Sequence, residues 1–559
     1  MLRVIRETVR LQCPERWSVP HQNKVQQGLT TVLQDYWNGV TYSTSSQEHL
    51  KTQQPSPASL LCADMAFSVS LFYKETCICP TLLRHSLHVL KSELPILSKR
   101  LKSTSFGWRH PSCVIEPRHE KYNLALSSKT RAMSMQTSMD MLWSESCPTP
   151  LFEESDYIHR DQMINPSHDL IKFDLVTFTD GSVLTMHIAH VLADAGRAVR
   201  ILEKLSSIYQ ALQLNNSDKP SMLSQYDAWF AKNHMRARHH QPRGLQTALD
   251  VLKLDASKLM AIPGALRYYS NQTFVSKYLY VSSTAIKRLQ QKMSDLACNL
   301  NMQPSKLDIV QAILISLIAS VRKNRLIPDH HDTFTTNIEL SRLSEDTQVP
   351  NDILGNSSHI LQIEGGEFLK LASSDIDSTD IIIRSLLINA LTLRQTIDRF
   401  KKEPMKRIQE ALEQQCIMSA LPKHAVLASF LVNSRLEKLA SCTAVASFPM
   451  DKARVFDDDY KKYIARLHVQ SENVTSMQIQ FNGNGPIFHH VDSNPKFDWW
   501  SIIQHITHPI PYKSRTLSPG YICHMTIPHG QYSENITKDP LIASLSQSAQ
   551  EEQSAFFLT

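Results

Sequence analysis

Along residues 82–101 the apolar positions Leu83, Leu87, Leu90, Leu94, Leu97 and Leu101 recur at the spacing of one helical face. Pro95 falls within that stripe, so the pattern predicts a helix that ends or kinks there. Residues 173–178 and 183–190 read as two strands joined by the turn Thr179-Asp180-Gly181-Ser182. Side chains alternate along a strand, which puts Leu184, Met186, Ile188 and His190 on one face and Thr185, His187 and Ala189 on the other. From Asp194 the period changes. Ala198, Ile201, Leu202, Leu205, Ile208, Tyr209 and Leu212 form one helical stripe, with Asp194 placed to accept the free amides of its first turn.

Elsewhere the pattern predicts a strand over 2–11, a polar loop over 20–58, and irregular chain or short strands over 103–150. It then predicts a strand over 274–281, helices from Ser283 and over 307–322, and a loop-rich strand region over 339–356. A long helix is expected over 379–415, strands over 477–491 and 521–528, and a short helix after Asp539. Composition loosens between about 213 and 275, around the basic run 232–240, and this is where a connection between two units is expected. A chain of 559 residues is too long for one simple core. The division read here is 1–240, a linker over 241–273, and 274–559.

Bulk composition narrows the function only slightly. A hydrophobic fraction of 42% and a charged fraction of 20% are those of an ordinary globular chain, and a net charge of +6 is mild for this length. The basic run lacks interleaved aromatics, so no nucleic-acid partner is expected. The ten cysteines include no CxxC pair, which argues against a structural zinc and for a reduced, cytoplasmic protein. No metal site is expected. The longest apolar run, 309–319, is too short for a membrane span.

Chemistry concentrates at His190-Val191-Leu192-Ala193-Asp194. A strand that ends in histidine just before a helix start presents an imidazole on a rigid support. The partial positive field of a helix N-terminus would favour the neutral ring that a general base needs. A histidine at a strand end is more often a hydrogen-bonded packing residue, and Asp194 alone could be a helix cap. The five residues do not settle the matter by themselves. His489-His490, and His505 with His508, lack acidic or cysteine partners at ligand spacing. No Walker loop, GxSxG elbow or GxGxxG fingerprint occurs.

Taken with its flanks, this stretch resembles the BAHD (HXXXD-type) acyltransferases, relatives of condensation domains and of chloramphenicol acetyltransferase. The resemblance rests on several segments: Asp64 followed by Leu71-Phe72-Tyr73; Leu94-Pro95-Ile96-Leu97-Ser98-Lys99-Arg100-Leu101; the strands leading into His190; and Asp194-Ala195-Gly196. Farther on it rests on Ser305, Asp308 and Ala312, on Leu354-Gly355-Asn356, and on Pro519-Gly520 through Pro528. The family's DFGWG motif has its nearest counterpart in Phe481, Gly483 and Gly485, without the Asp and Trp, and an arginine of the family is replaced near Leu340.

The resemblance implies an α/β fold of two chloramphenicol-acetyltransferase-like domains, with mixed sheets flanked by helices and a channel between them. It implies acyl transfer from acyl-CoA to a small-molecule alcohol or amine in specialised metabolism. His190 would act as general base without a covalent enzyme intermediate, and Asp194 and Gly196 would be structural. Acyl-CoA is then a co-substrate, no cofactor stays bound, and the protein acts as a monomer. The competing reading is a relative that binds an acyl or small-molecule ligand without turning it over, suggested by the altered glycine-rich segment. A condensation-type enzyme is disfavoured because its second histidine would be His187, on the opposite strand face.

Overall fold

The stripe that begins at Leu83 folds as a helix, Pro80–Glu93, and proline ends it: a 3-10 turn, Pro95–Ser98, leads straight into a strand, Lys99–Ser103. Leu97 and Leu101 therefore lie beyond the helix whose period they continue. This computed structural model describes residues 58–59, 62, 66–74, 77–103, 113–117, 124–135, 169–214, 245–270, 274–297, 302–323, 326–328, 332–340, 356, 358–372, 381–421, 426, 429, 432–433, 439–444, 463–468, 500–505, 510–512, 515–517, 520–528, 538–548 and 555–558. The strands expected over 2–11 and 477–491, the loop over 20–58 except its last residue, and the basic run lie outside them.

The first part of the chain supplies β1 (Ala66–Lys74), α1 (Pro80–Glu93), β2 (Lys99–Ser103), β3 (Cys113–Pro117), β4 (Ala125–Thr130), β5 (Ile171–Phe178), β6 (Gly181–Ala189) and α2 (Ala195–Gln213). Then come α3 (Leu245–Val251), α4 (Ala256–Ser270), β7 (Phe274–Ser282), α5 (Ser283–Leu296), α6 (Lys306–Lys323), β8 (Thr333–Glu339), β9 (Ser358–Glu364), α7 (Gly365–Ala372), α8 (Ile381–Lys401) and α9 (Pro404–Ala420). The last elements are β10 (Leu439–Ala444), β11 (Tyr463–His468), β12 (Trp500–His505), β13 (Ile510–Tyr512), β14 (Arg515–Leu517), β15 (Gly520–Pro528), α10 (Pro540–Ser548) and β16 (Ala555–Leu558).

Two mixed sheets organise these elements. The first runs β11-β1-β6-β5-β4, with β4 parallel to β5 and the other neighbours antiparallel. Its register sets Val69 opposite Met186 and Leu71 opposite Leu184; on the far side Phe173 faces Met186 and Leu175 faces Leu184. That apolar face joins Leu83, Leu87 and Leu90 of α1 and Ile201, Leu202 and Leu205 of α2 in one buried cluster. Each such side chain contributes about 1.5–3 kcal/mol by leaving water. Lys204 of α2 and Glu93 of α1 pair at 2.8 Å beside it.

The second sheet runs β16-β7-β15-β12-β10-β8-β9, with β10 parallel to both β8 and β12. One cluster joins it to α5, α6, α8 and α10 through residues such as Leu279, Leu289, Ile313, Leu387 and Leu541. The α/β architecture of mixed sheets and flanking helices agrees with the expected class.

Three features differ from the pattern or extend it. The single helix expected over 379–415 is two, α8 and α9, because Pro404 cannot donate to a preceding turn and instead stands at the first position of a new helix. The segment read as a linker carries α3 and α4, and Ala248, Leu252 and Leu254 pack on Ile417 and Leu421 near the end of α9. Strand β11, from far into the second part, joins the first sheet beside β1. No described helix is long and apolar enough to cross a membrane.

Candidate active site

Strand β6 stops at Ala189, whose N–H donates to Leu170 O at 2.8 Å. Leu192 N–H then closes a turn back to Ala189 O at 3.0 Å, so His190 sits just past the last strand residue, inside the turn. Asp194 caps the helix that follows: its Oδ1 accepts from Arg197 N–H at 3.0 Å, and its backbone is extended. Gly196 is buried in the first turn of α2. A strand end, a tight turn and a capped helix thus fix the backbone on both sides of the imidazole.

His187 and His190 occupy different environments. His187, 1% exposed, points to the sheet face opposite Met186 and Ile188, where its Nε2 lies 2.6 Å from Asp174 Oδ2. His190 keeps partial exposure, while its Nδ1 is enclosed. Burial is the main influence on the His190 ring and lowers its pKa; its own backbone carbonyl, the Asp194 charge and the Asn356 side chain oppose the shift. Desolvation thus works in the same direction as the field expected from the helix N-terminus, against protonation of the ring.

The other half of the chain reaches this turn at two points. Asn356, 1% exposed, donates from Nδ2 to His190 O at 2.7 Å and to Ser59 Oγ at 3.1 Å, and its own N–H reaches Ser59 Oγ at 3.3 Å. At the helix end, Arg197 is 1% exposed and its Nη1 donates to Glu339 Oε1 at the last residue of β8, while Asp194 Oδ2 lies 3.7 Å from the same nitrogen. Arg197 is a cationic partner of Asp194. The i, i+3 spacing on a helix was a usable signal for it. Nothing local marked Glu339 or Ser59.

Phe481, Gly483 and Gly485 lie outside the described residues. Among the described residues no group of three or more His, Cys, Asp or Glu could hold a metal ion.

No protein-family model and no curated protein sequence matches the chain. Solved structures do. F. graminearum TRI101 complexed with coenzyme A and deoxynivalenol is 11% identical, with a TM-score of 0.56 over 91% of this chain and 100% of that one. F. graminearum TRI101 with coenzyme A and T-2 mycotoxin gives a TM-score of 0.52 at the same identity and coverage of both chains. F. sporotrichioides TRI101 with coenzyme A and T-2 gives 0.51, again at 11% identity over 91% of this chain and 100% of that one. In its two mixed sheets, their helices and the path of the chain through them, this protein has the fold of TRI101, a BAHD acyltransferase.

Proposed function

We propose that this protein transfers an acyl group from acyl-CoA to a hydroxyl or amine of a small molecule, with His190 as general base and no covalent enzyme intermediate. One observation carries the reading. A histidine at a strand-to-helix turn has its pKa lowered by burial while Asn356, from the other half of the chain, holds its main-chain carbonyl. TRI101, of like fold, was seen with coenzyme A together with deoxynivalenol or T-2 mycotoxin, and that pairing of thiol cofactor and small acceptor supports the substrate classes.

The chemistry follows from the ring. Nδ1 is the enclosed nitrogen, so Nε2 is the one left to meet a substrate. With the ring proton on Nδ1, Nε2 carries the lone pair. The acceptor O–H or N–H gives its proton to Nε2 as its heteroatom attacks the thioester carbonyl. When the tetrahedral adduct collapses, the C–S bond breaks and the imidazolium returns the proton to the departing sulfur, leaving ester or amide and free coenzyme A. Asp194 acts on the scaffold, through its cap on α2 and its pairing with Arg197.

The test is thiol release from a panel of acyl-CoAs in the presence of mixed alcohols and amines. His190→Ala is expected to lower kcat by about 10²–10⁴-fold, the usual worth of a positioned base. Turnover at the wild-type rate in that variant would remove His190 from the mechanism. Saturable acyl-CoA binding without thiol release would favour a non-catalytic binding protein.

A further inference from the structure

We infer that Glu339 is a positioning residue for His190, acting through Arg197, so that the second half of the chain locks the turn 190–197 at its far end as Asn356 locks it at the near end. The inference deepens the acyl-transfer reading and takes its functional meaning from it, but its test stands apart.

The argument starts from a buried cation. A guanidinium stays charged at any working pH, and burying it is costly unless carboxylates surround it. Arg197 is 1% exposed. Asp194 is an incomplete partner, because Oδ1 already caps the helix through Arg197 N–H and Oδ2 stands 3.7 Å from Nη1. Glu339 supplies the direct pairing, from a residue 142 positions away. Its place at the end of β8 is fixed by pairing with β9, where Glu339 stands opposite Ser358, and β8 is held on its other edge by β10 over Thr333–Thr336.

Three charges are thus strung between the halves, Asp194, Arg197 and Glu339, and two of the three belong to the turn that carries the base. Take away the Glu339 charge and Asp194, 3.7 Å from Nη1, is left beside the guanidinium. Asp194 is then drawn from its cap, and the first turn of α2 loosens next to His190. The Asn356 contact would then hold His190 O while the segment after it moves.

Glu339→Gln keeps the shape and removes the charge. Hydrogen exchange is measured by mass spectrometry on peptides covering 186–200. Amides of 190–198 are expected to exchange about tenfold faster in Glu339→Gln, while those of β5 stay unchanged, the mark of a local opening. In turnover, kcat is expected to fall about tenfold with KM for acyl-CoA within about twofold, the split expected when geometry and not ground-state binding is lost. Glu339→Asp, which keeps the charge on a shorter arm, is expected to recover part of both.

Should Glu339→Gln fail to fold, the apolar pair Arg197→Met with Glu339→Leu is read the same way, since it removes both ends of the direct pairing at once and leaves Asp194 its cap on the backbone N–H of residue 197. Exchange at 190–198 equal to wild type would overturn the inference. A wild-type protein that releases no thiol from any acyl-CoA would instead sink the acyl-transfer reading, and the exchange result would still decide whether Glu339 locks the turn.

Discussion

Asn356 joins the two halves at the residue proposed as general base, and its amide is the most informative single group to remove. In Asn356→Ala, His190 O loses a 2.7 Å hydrogen bond and Ser59 Oγ loses a 3.1 Å one. If water refills the space, the net loss is about 1 kcal/mol per bond; a buried carbonyl left dry costs about 1–3 kcal/mol by itself. Should that cost fall on the transition state, kcat drops about 5- to 150-fold.

A second consequence has a definite sign. The Asn356 side chain favours the protonated ring against the dominant effect of burial. Without it the His190 pKa falls further, so the acid limb of the kcat/KM profile moves to lower pH while its plateau drops. The assay is a pH series of thiol release for wild type and Asn356→Ala, with circular dichroism and urea melts to confirm folding. A folded variant with an unchanged plateau and an unchanged acid limb would refute the reasoning.

Two further perturbations probe the scaffold. A Cβ on Gly520 would lie 2.5 Å from Val281 O, 2.7 Å from Tyr280 Cε2 and 3.0 Å from Ser282 Cα. Gly520→Ala must therefore push β15 away from β7, and a loss of about 1–3 kcal/mol in urea unfolding is expected; a variant as stable as wild type would contradict that close approach. His359, stacked on Phe400 with ring centroids 5.5 Å apart, has its pKa lowered by burial to about 4, Glu410 opposing. Between that value and 6.5 the unfolded chain binds the proton and the folded one does not. Stability is accordingly highest above pH 6.5 and declines as pH falls towards 4, by about 2 kcal/mol once partial exposure is allowed for. His359→Phe should flatten that part of the urea-midpoint curve, and an unflattened curve would assign the loss to other groups.

What could be read from the sequence was mostly local. The stop at Pro95, the hairpin at 179–182 and the stripe from Ala198 depend on neighbours within a turn or two, and the structure has them. The break at Pro404 was also local, yet the apolar period of α8 and α9 runs through it and reads as one helix. The parallel arrangement of β8, β10 and β12 has no such signature, because each pairing is set by segments far apart in the chain. The same limit applies at the site. His190, Asp194 and Asn356 each stood out by motif, but that Asn356 touches His190 O across 166 residues did not, and Glu339 reads as any strand-end acid. Burial of the His190 ring had no local signature either, since it depends on what the rest of the chain lays over it.

The placement of β11 bears on how the protein is made. In a chain emerging from the ribosome, β1 can pair with β6 as soon as the β5–β6 hairpin is out, but its other edge is completed by a strand about 390 residues later. At usual synthesis rates of about 5–20 residues per second, that edge waits roughly 20–80 s with its backbone N–H and C=O groups unpaired. The first sheet is a nascent template with an open side for most of translation. Chaperone demand and sensitivity to slowed elongation should therefore fall on β1, long before the turn at His190 is closed from the other half.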